Sequence, residues 1–138
     1  MIKRKIDRYL ADFFDTHKKA LMLTGVRQIG KTYSIRRFGH EHFERFVEIN
    51  FIENPGLVKV FSKAKNCQDI LLRLSTVTSQ DLIKGNTLVF FDEVQECPEI
   101  VTAIKFLVEE GSYRYILSGS LLGVEIKNLR SAPVGYMD

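Results

Sequence analysis

Residues 25–32 read Gly25-Val26-Arg27-Gln28-Ile29-Gly30-Lys31-Thr32, a glycine separated by four residues from a Gly-Lys-Thr triplet. That spacing suits a loop that cradles phosphates. Gly25 lets the chain turn sharply, and Gly30 lets backbone amides meet phosphate oxygens with no side chain between. A helix that opens at this loop offers unpaired amides and the positive end of its dipole to an anion. Lys31 brings a full charge to the β and γ phosphates, and the Thr32 hydroxyl can ligate magnesium. At ordinary residue frequencies the pattern arises by chance roughly a few times per thousand chains of this length. The nucleotide-binding set read here runs through Val26, Arg27, Gln28 and Ile29 to Thr32 and the adjoining Tyr33.

A second constellation follows the apolar run of residues 87–91 (TLVFF), where Asp92 and Glu93 stand side by side. In parallel sheets ligands bind outside the carboxyl ends of the strands, so this pair and the phosphate loop point to one edge. Asp92 is placed to hold magnesium, and Glu93 to polarise a water for in-line attack on a γ phosphate. Ser118 and Ser120 follow the run YRYIL, where a hydroxyl can report the γ phosphate. Asn50, near the end of the run RFVEINF, is placed to hydrogen-bond Glu93. His40 and His42 flank Glu41 without a third ligand in view, and neither serine has a nucleophile-elbow context.

These residues need elements to carry them. Ile6, Tyr9, Leu10, Phe13 and Phe14 follow helical spacing, which predicts one amphipathic helix before residue 17. The run ALMLT (20–24) reads as a strand buried on both faces, followed by a short helix over 31–38 stopped by Gly39. Residues 45–51 form a second strand, Asn54-Pro55-Gly56 a turn, and Leu57, Val60, Phe61 and Ala64 a helix. Ile70, Leu71 and Leu74 mark another helix. Gly85-Asn86 turns into the third strand, 87–91. Ile100, Val101, Ile104, Leu107 and Val108 form one helical face ended by Gly111, before a fourth strand at 113–117. A weak fifth is expected around 134–137. Strands alternating with helices predict an α/β fold, a mostly parallel sheet covered on both faces.

The chain has 138 residues, 45% hydrophobic and 27% charged, which excludes disorder as its main character. Twenty basic residues against seventeen acidic give a net charge of +3, too mild to demand a nucleic-acid partner. Cys67 and Cys97 form no C-x-x-C pair and read as buried, reduced thiols. The apolar runs are far short of a membrane span, and the basic N-terminus has no apolar segment behind it, so the expected compartment is the cytoplasm. Residues 121–138 carry no closing helix, and the chain reads as the N-terminal piece of a longer protein.

LMLTGVRQIGKT, the EIN of the second strand, VFFDEVQECPE and YRYILSGS, in that order, resemble the AAA+ ATPase domain of a prokaryotic family of predicted ATPases often paired with a C-terminal DUF4143 region. The resemblance covers about residues 18–135. Arg27-Gln28 and the Asp-Glu-x-Gln ending in Gln95 are more specific than a bare phosphate loop. It implies a P-loop NTPase sheet of order 5-1-4-3-2, with residues 1–17 as an N-terminal helix and 18–138 as the core. It implies Lys31 and Thr32 in the Walker A positions, Asp92 and Glu93 in Walker B, and Ser118 or Ser120 as first sensor. Asn50 matches a residue that restrains the catalytic glutamate, and Arg130 a basic residue after the sensor strand. ATP and Mg2+ are the implied cofactors. A helical lid, expected after residue 138, and an arginine supplied by a neighbouring copy or a protein partner belong to the pattern. The expected function is magnesium-dependent ATP hydrolysis driving a conformational change, with low activity from this chain alone. The alternative is a nucleotide-dependent switch that recruits a protein or DNA partner. A small-molecule kinase is a third reading, disfavoured by Glu93.

Overall fold

The structure, a computed structural model, describes residues 5–24, 29–119 and 129–133. In chain order the elements are α1 (Lys5–Thr16), β1 (Ala20–Thr24), α2 (Ile29–His42), β2 (Arg45–Asn50), α3 (Gly56–Ser62), α4 (Cys67–Val77), β3 (Thr87–Asp92), α5 (Pro98–Glu110), β4 (Arg114–Gly119) and β5 (Leu129–Pro133). A single 3-10 turn, Val94–Glu96, joins β3 to α5. The five strands are all parallel and lie in the order β2-β3-β4-β1-β5, which read from the other edge is 5-1-4-3-2.

Alternation along the strands builds two cores. Leu21, Leu23, Phe46, Leu88, Phe90 and Ile116 face one way, onto Ile6, Leu10 and Phe13 of α1 and Ile35 and Phe38 of α2. Met22, Val47, Ile49, Val89, Phe91, Tyr115 and Leu117 face the other way, onto α3, α4 and α5 through Phe61, Ile70, Leu74, Ile100, Ile104 and Leu107. Every residue of β3 is buried, as a central strand covered on both faces requires. Burying each of its phenylalanines stabilises the fold by roughly 1.5–3 kcal/mol.

The helix ends follow ordinary rules. Asn66 caps α4, accepting from the Asp69 backbone N–H at 2.9 Å. Pro98 opens α5, and Gly111, at φ 82°, closes it by donating to Leu107 O at 3.2 Å.

Three expectations are corrected. Gly39 does not stop α2, which runs on to His42. It is the point where α2 meets β2: a Cβ there would stand 2.2 Å from Phe46 Cδ1. Ser118 does not follow the fourth strand but belongs to it. The fifth strand is Leu129–Pro133 rather than 134–137, which lies outside the described residues. It forms the sheet edge beside β1, where proline at a strand's end costs no ladder bond.

Candidate functional site at the carboxyl edge of the sheet

Parallel pairing sets a row of side chains across the sheet. Asn50 of β2 is in register with Asp92 of β3, Asp92 with Ser118 of β4, and Ser118 with Leu23 of β1. In-register neighbours share a face. The row therefore continues the face of Phe90, Ile116 and Leu21, the side on which α2 packs. Lys31, in the first turn of α2, reaches the row and donates from Nζ to Ser118 Oγ at 2.6 Å. Lys31, Asn50, Asp92, Glu93 and Ser118 are all buried, which is rare for charged groups unless they serve each other or a ligand.

Ion pairs add to the apolar packing of Ile35 and Phe38 that seats the helix on the sheet. Arg36 of α2 makes a two-pronged contact with Glu48 of β2, at 2.7 and 2.9 Å. Glu48 raises the Arg36 guanidinium further above its ordinary range, first through this hydrogen bond and then through its charge. Arg37 pairs with Asp7 of α1.

Asp92 ends β3 and accepts the Glu93 backbone N–H on Oδ1 at 2.9 Å and the Asn50 amide on Oδ2 at 3.3 Å. Burial raises its carboxyl above the usual range, the neighbouring Glu93 adds to this, and the Lys31 charge opposes it. Asn50 was expected to hold Glu93. Its amide donates to Asp92, because the register sets these two side by side on one face, and its carbonyl accepts the Ile52 and Glu53 N–H groups, both at 2.9 Å. Glu93 is one residue too far along to meet Asn50.

Glu93 takes the left-handed conformation, φ 59° and ψ 47°. It is the one non-glycine residue with positive φ among those described. Such a backbone costs roughly 1–2 kcal/mol and tends to persist where a site demands it. It swings the carboxylate out of the strand's alternation and onto Gln95, whose Nε2 donates to Glu93 Oε1 at 2.9 Å. The motif contained Gln95, but not this contact.

Of the other sequence candidates, Thr32 is half-buried on the first turn of α2, next to Lys31. Tyr33 is exposed, with the Arg37 guanidinium 5.5 Å over its ring, and is not brought to the row. Gly25, Val26, Arg27, Gln28 and Ser120 lie outside the described residues. Ile29 and Gly30 are described as the start of α2. Arg130 pairs through its backbone position with Leu21.

The donor set fits a hard cation beside an anion. Two buried carboxylates and one buried ammonium meet at one edge, with a hydroxyl on the adjoining helix turn. Oxygen donors in such small number suit Mg2+, which keeps waters and phosphate oxygens as its other ligands.

A search of curated proteins returns no match. Among solved structures the chain is similar to one described as the structure of C. elegans PCH-2, with a TM-score of 0.52 and 14% identity. The alignment covers 96% of this chain and 40% of that one, so the chain spans less than half of that protein's length. At this identity the likeness concerns the fold. The sequence profile of a family described as an AAA domain matches residues 17–138. With the parallel 5-1-4-3-2 sheet and the lysine, carboxylates and serine gathered at its carboxyl edge, that match establishes that this chain belongs to the AAA domain family.

Proposed function

We propose that the chain is the nucleotide-binding core of an ATPase that cleaves ATP to ADP and phosphate with magnesium. The observation that supports this most is the in-register row Asn50–Asp92–Ser118, met by Lys31 from the first turn of α2. Lys31 binds the β and γ phosphates, exchanging or sharing its contact with Ser118. Thr32 and Asp92 hold magnesium, and Asn50 fixes the Asp92 carboxylate for that task. Magnesium, when bound, supplies charge that offsets the negative charge of the phosphates. Ser118, fixed between Lys31 and the Asp92 register position, reads the γ phosphate. Glu93 orients the attacking water and accepts its proton. Residues 25–30 supply backbone amides to the phosphates.

Phosphoryl transfer is catalysed mainly by positioning and by meeting the developing charge. An arginine contributed in trans, by a second copy of this chain or by a protein partner, is the part we assign outside the single molecule. The conformational change that hydrolysis drives, the pairing with a further C-terminal region, and a cytoplasmic location belong to the same proposal. Among the described residues no helix is long and apolar enough to cross a membrane.

Steady-state phosphate release, with and without Mg2+ and with and without DNA, tests this reading. Magnesium-dependent release independent of DNA supports an ATPase core. Tight nucleotide binding with no release, and recruitment of DNA only when nucleotide is present, would replace it with the switch.

A further inference from the structure

Gln95 has no role in the reading above, yet its surroundings are built around its side chain. Its backbone sits on the 3-10 turn between Val94 and Cys97, both fully buried in the core below. Two backbone bonds close that turn, Glu96 N–H to Glu93 O at 3.1 Å and Cys97 N–H to Val94 O at 2.9 Å. The side chain folds back so that Nε2 meets Glu93 Oε1 at 2.9 Å. Its own Oε1 lies across the end of β4: a Cβ on Gly119 would stand 2.3 Å from it and 3.1 Å from Val94 N. The seat exists because residue 119 has no side chain. Gly119 directly follows Ser118, which accepts from Lys31.

We infer that Gln95 is the positioning residue for Glu93, holding the water-orienting carboxylate in place from a seat on Gly119. Asn50, committed to Asp92 and to two backbone amides, does not do this work. The carboxylate has two oxygens. The bond to Gln95 fixes one of them, and with it the orientation of the group. A glutamate in the left-handed backbone region, without this tether, samples other rotamers and spends less time in reach of the water. Because Gln95 also touches the end of β4, any shift of Ser118 towards a γ phosphate reaches Glu93 through one side chain.

This inference rests on the hydrolytic reading, and the test separates the two. Gln95→Met keeps length and bulk but cannot donate. The expected result is a kcat about tenfold lower, with the Kd for Mg-ATP within twofold of wild type. In a Glu93→Gln background the same change should have no further effect on the residual rate. A second readout needs no turnover. In the 15N spectrum one Gln95 side-chain amide proton, assigned by its loss in Gln95→Met, should be shifted downfield, and Glu93→Ala should return it to the ordinary glutamine position. Wild-type turnover in Gln95→Met, while Glu93→Gln is impaired, overturns the inference and leaves the hydrolytic reading standing. So does an amide signal indifferent to Glu93→Ala. Wild-type turnover in Glu93→Gln overturns both.

Discussion

Lys31 and Ser118, 87 positions apart in the chain, are joined by a buried 2.6 Å hydrogen bond from Nζ to Oγ. It ties the first turn of α2 to the end of β4.

Lys31→Ala removes the one side-chain charge assigned to the β and γ phosphates while leaving the backbone cradle. Loss of a charged hydrogen-bonding group should weaken Mg-ATP binding by about 3 kcal/mol, roughly a hundredfold in Kd. Calorimetry checks this, and equal affinities would remove the loop from the site. Without nucleotide, Lys31→Ala and Ser118→Ala should couple in a double-mutant cycle by about 0.5–3 kcal/mol of unfolding free energy.

Gly39→Ala should destabilise the fold by about 1–3 kcal/mol, although alanine is the better helix former. The added Cβ would meet the Phe46 ring at 2.2 Å, forcing α2 away from β2. Urea unfolding measures the loss. A neutral or stabilising result would mean that the ring moves aside freely.

Arg114 donates to Phe14 O at 3.3 Å and also to His17 O, and its guanidinium lies 4.6 Å over the Phe14 ring. It thereby closes the carboxyl end of α1, while burial pushes its pKa down and leaves its Nε without a partner. Arg114→Ala should cost about 2–3 kcal/mol and raise hydrogen exchange in α1 before the rest of the molecule. Uniform exchange would assign α1 to the same cooperative unit as the sheet.

Alkaline pH should unfold the chain through its buried acids. Burial pushes the Cys97 thiol up to about 11 from its ordinary 9.0. Between those values the unfolded chain has already lost the proton that the folded chain keeps. The unfolded state therefore binds fewer protons, and stability falls as pH rises through the window. Tyr115, Tyr113 and Cys67 are raised by burial as well and act in the same direction. Urea midpoints should drop between pH 9 and 11, with the Cys97 share on the order of 1–2 kcal/mol. Cys97→Ala should flatten the slope, and an unchanged slope would refute the assignment.

β1 and β3 were legible because a strand buried on both faces leaves a short apolar run, as ALMLT and TLVFF do, and β2 because RFVEIN alternates in part. The place of the acidic pair at the end of β3 was legible because it depends on local spacing, while residues 25–28 of the expected phosphate loop lie outside the described residues. β5 was not, because the edge segment Leu-Arg-Ser-Ala-Pro has no apolar run, and its place depends on β1 beside it. Gly39 was misread because glycine serves both as a helix stop and as a point of close approach, and only the position of Phe46 decides which. The partner of Asn50 depends on strand register, which sets it beside Asp92 and one residue short of Glu93. Gln95 stood in the motif, but its contact follows from the left-handed turn at Glu93 and the bare backbone at Gly119.

The central claim is that Asp92 and Glu93, adjacent in sequence, divide metal holding from water activation. Mg-ATP affinity and single-turnover phosphate release, measured on wild type, Glu93→Gln and Asp92→Asn, test it most directly. Glu93→Gln should bind Mg-ATP within twofold of wild type and lose roughly a hundredfold or more in release, since an amide fills the space but takes no proton. Asp92→Asn should lose the magnesium dependence of binding itself. If the two variants bind and release alike, or if Glu93→Gln releases phosphate at the wild-type rate, the account is contradicted.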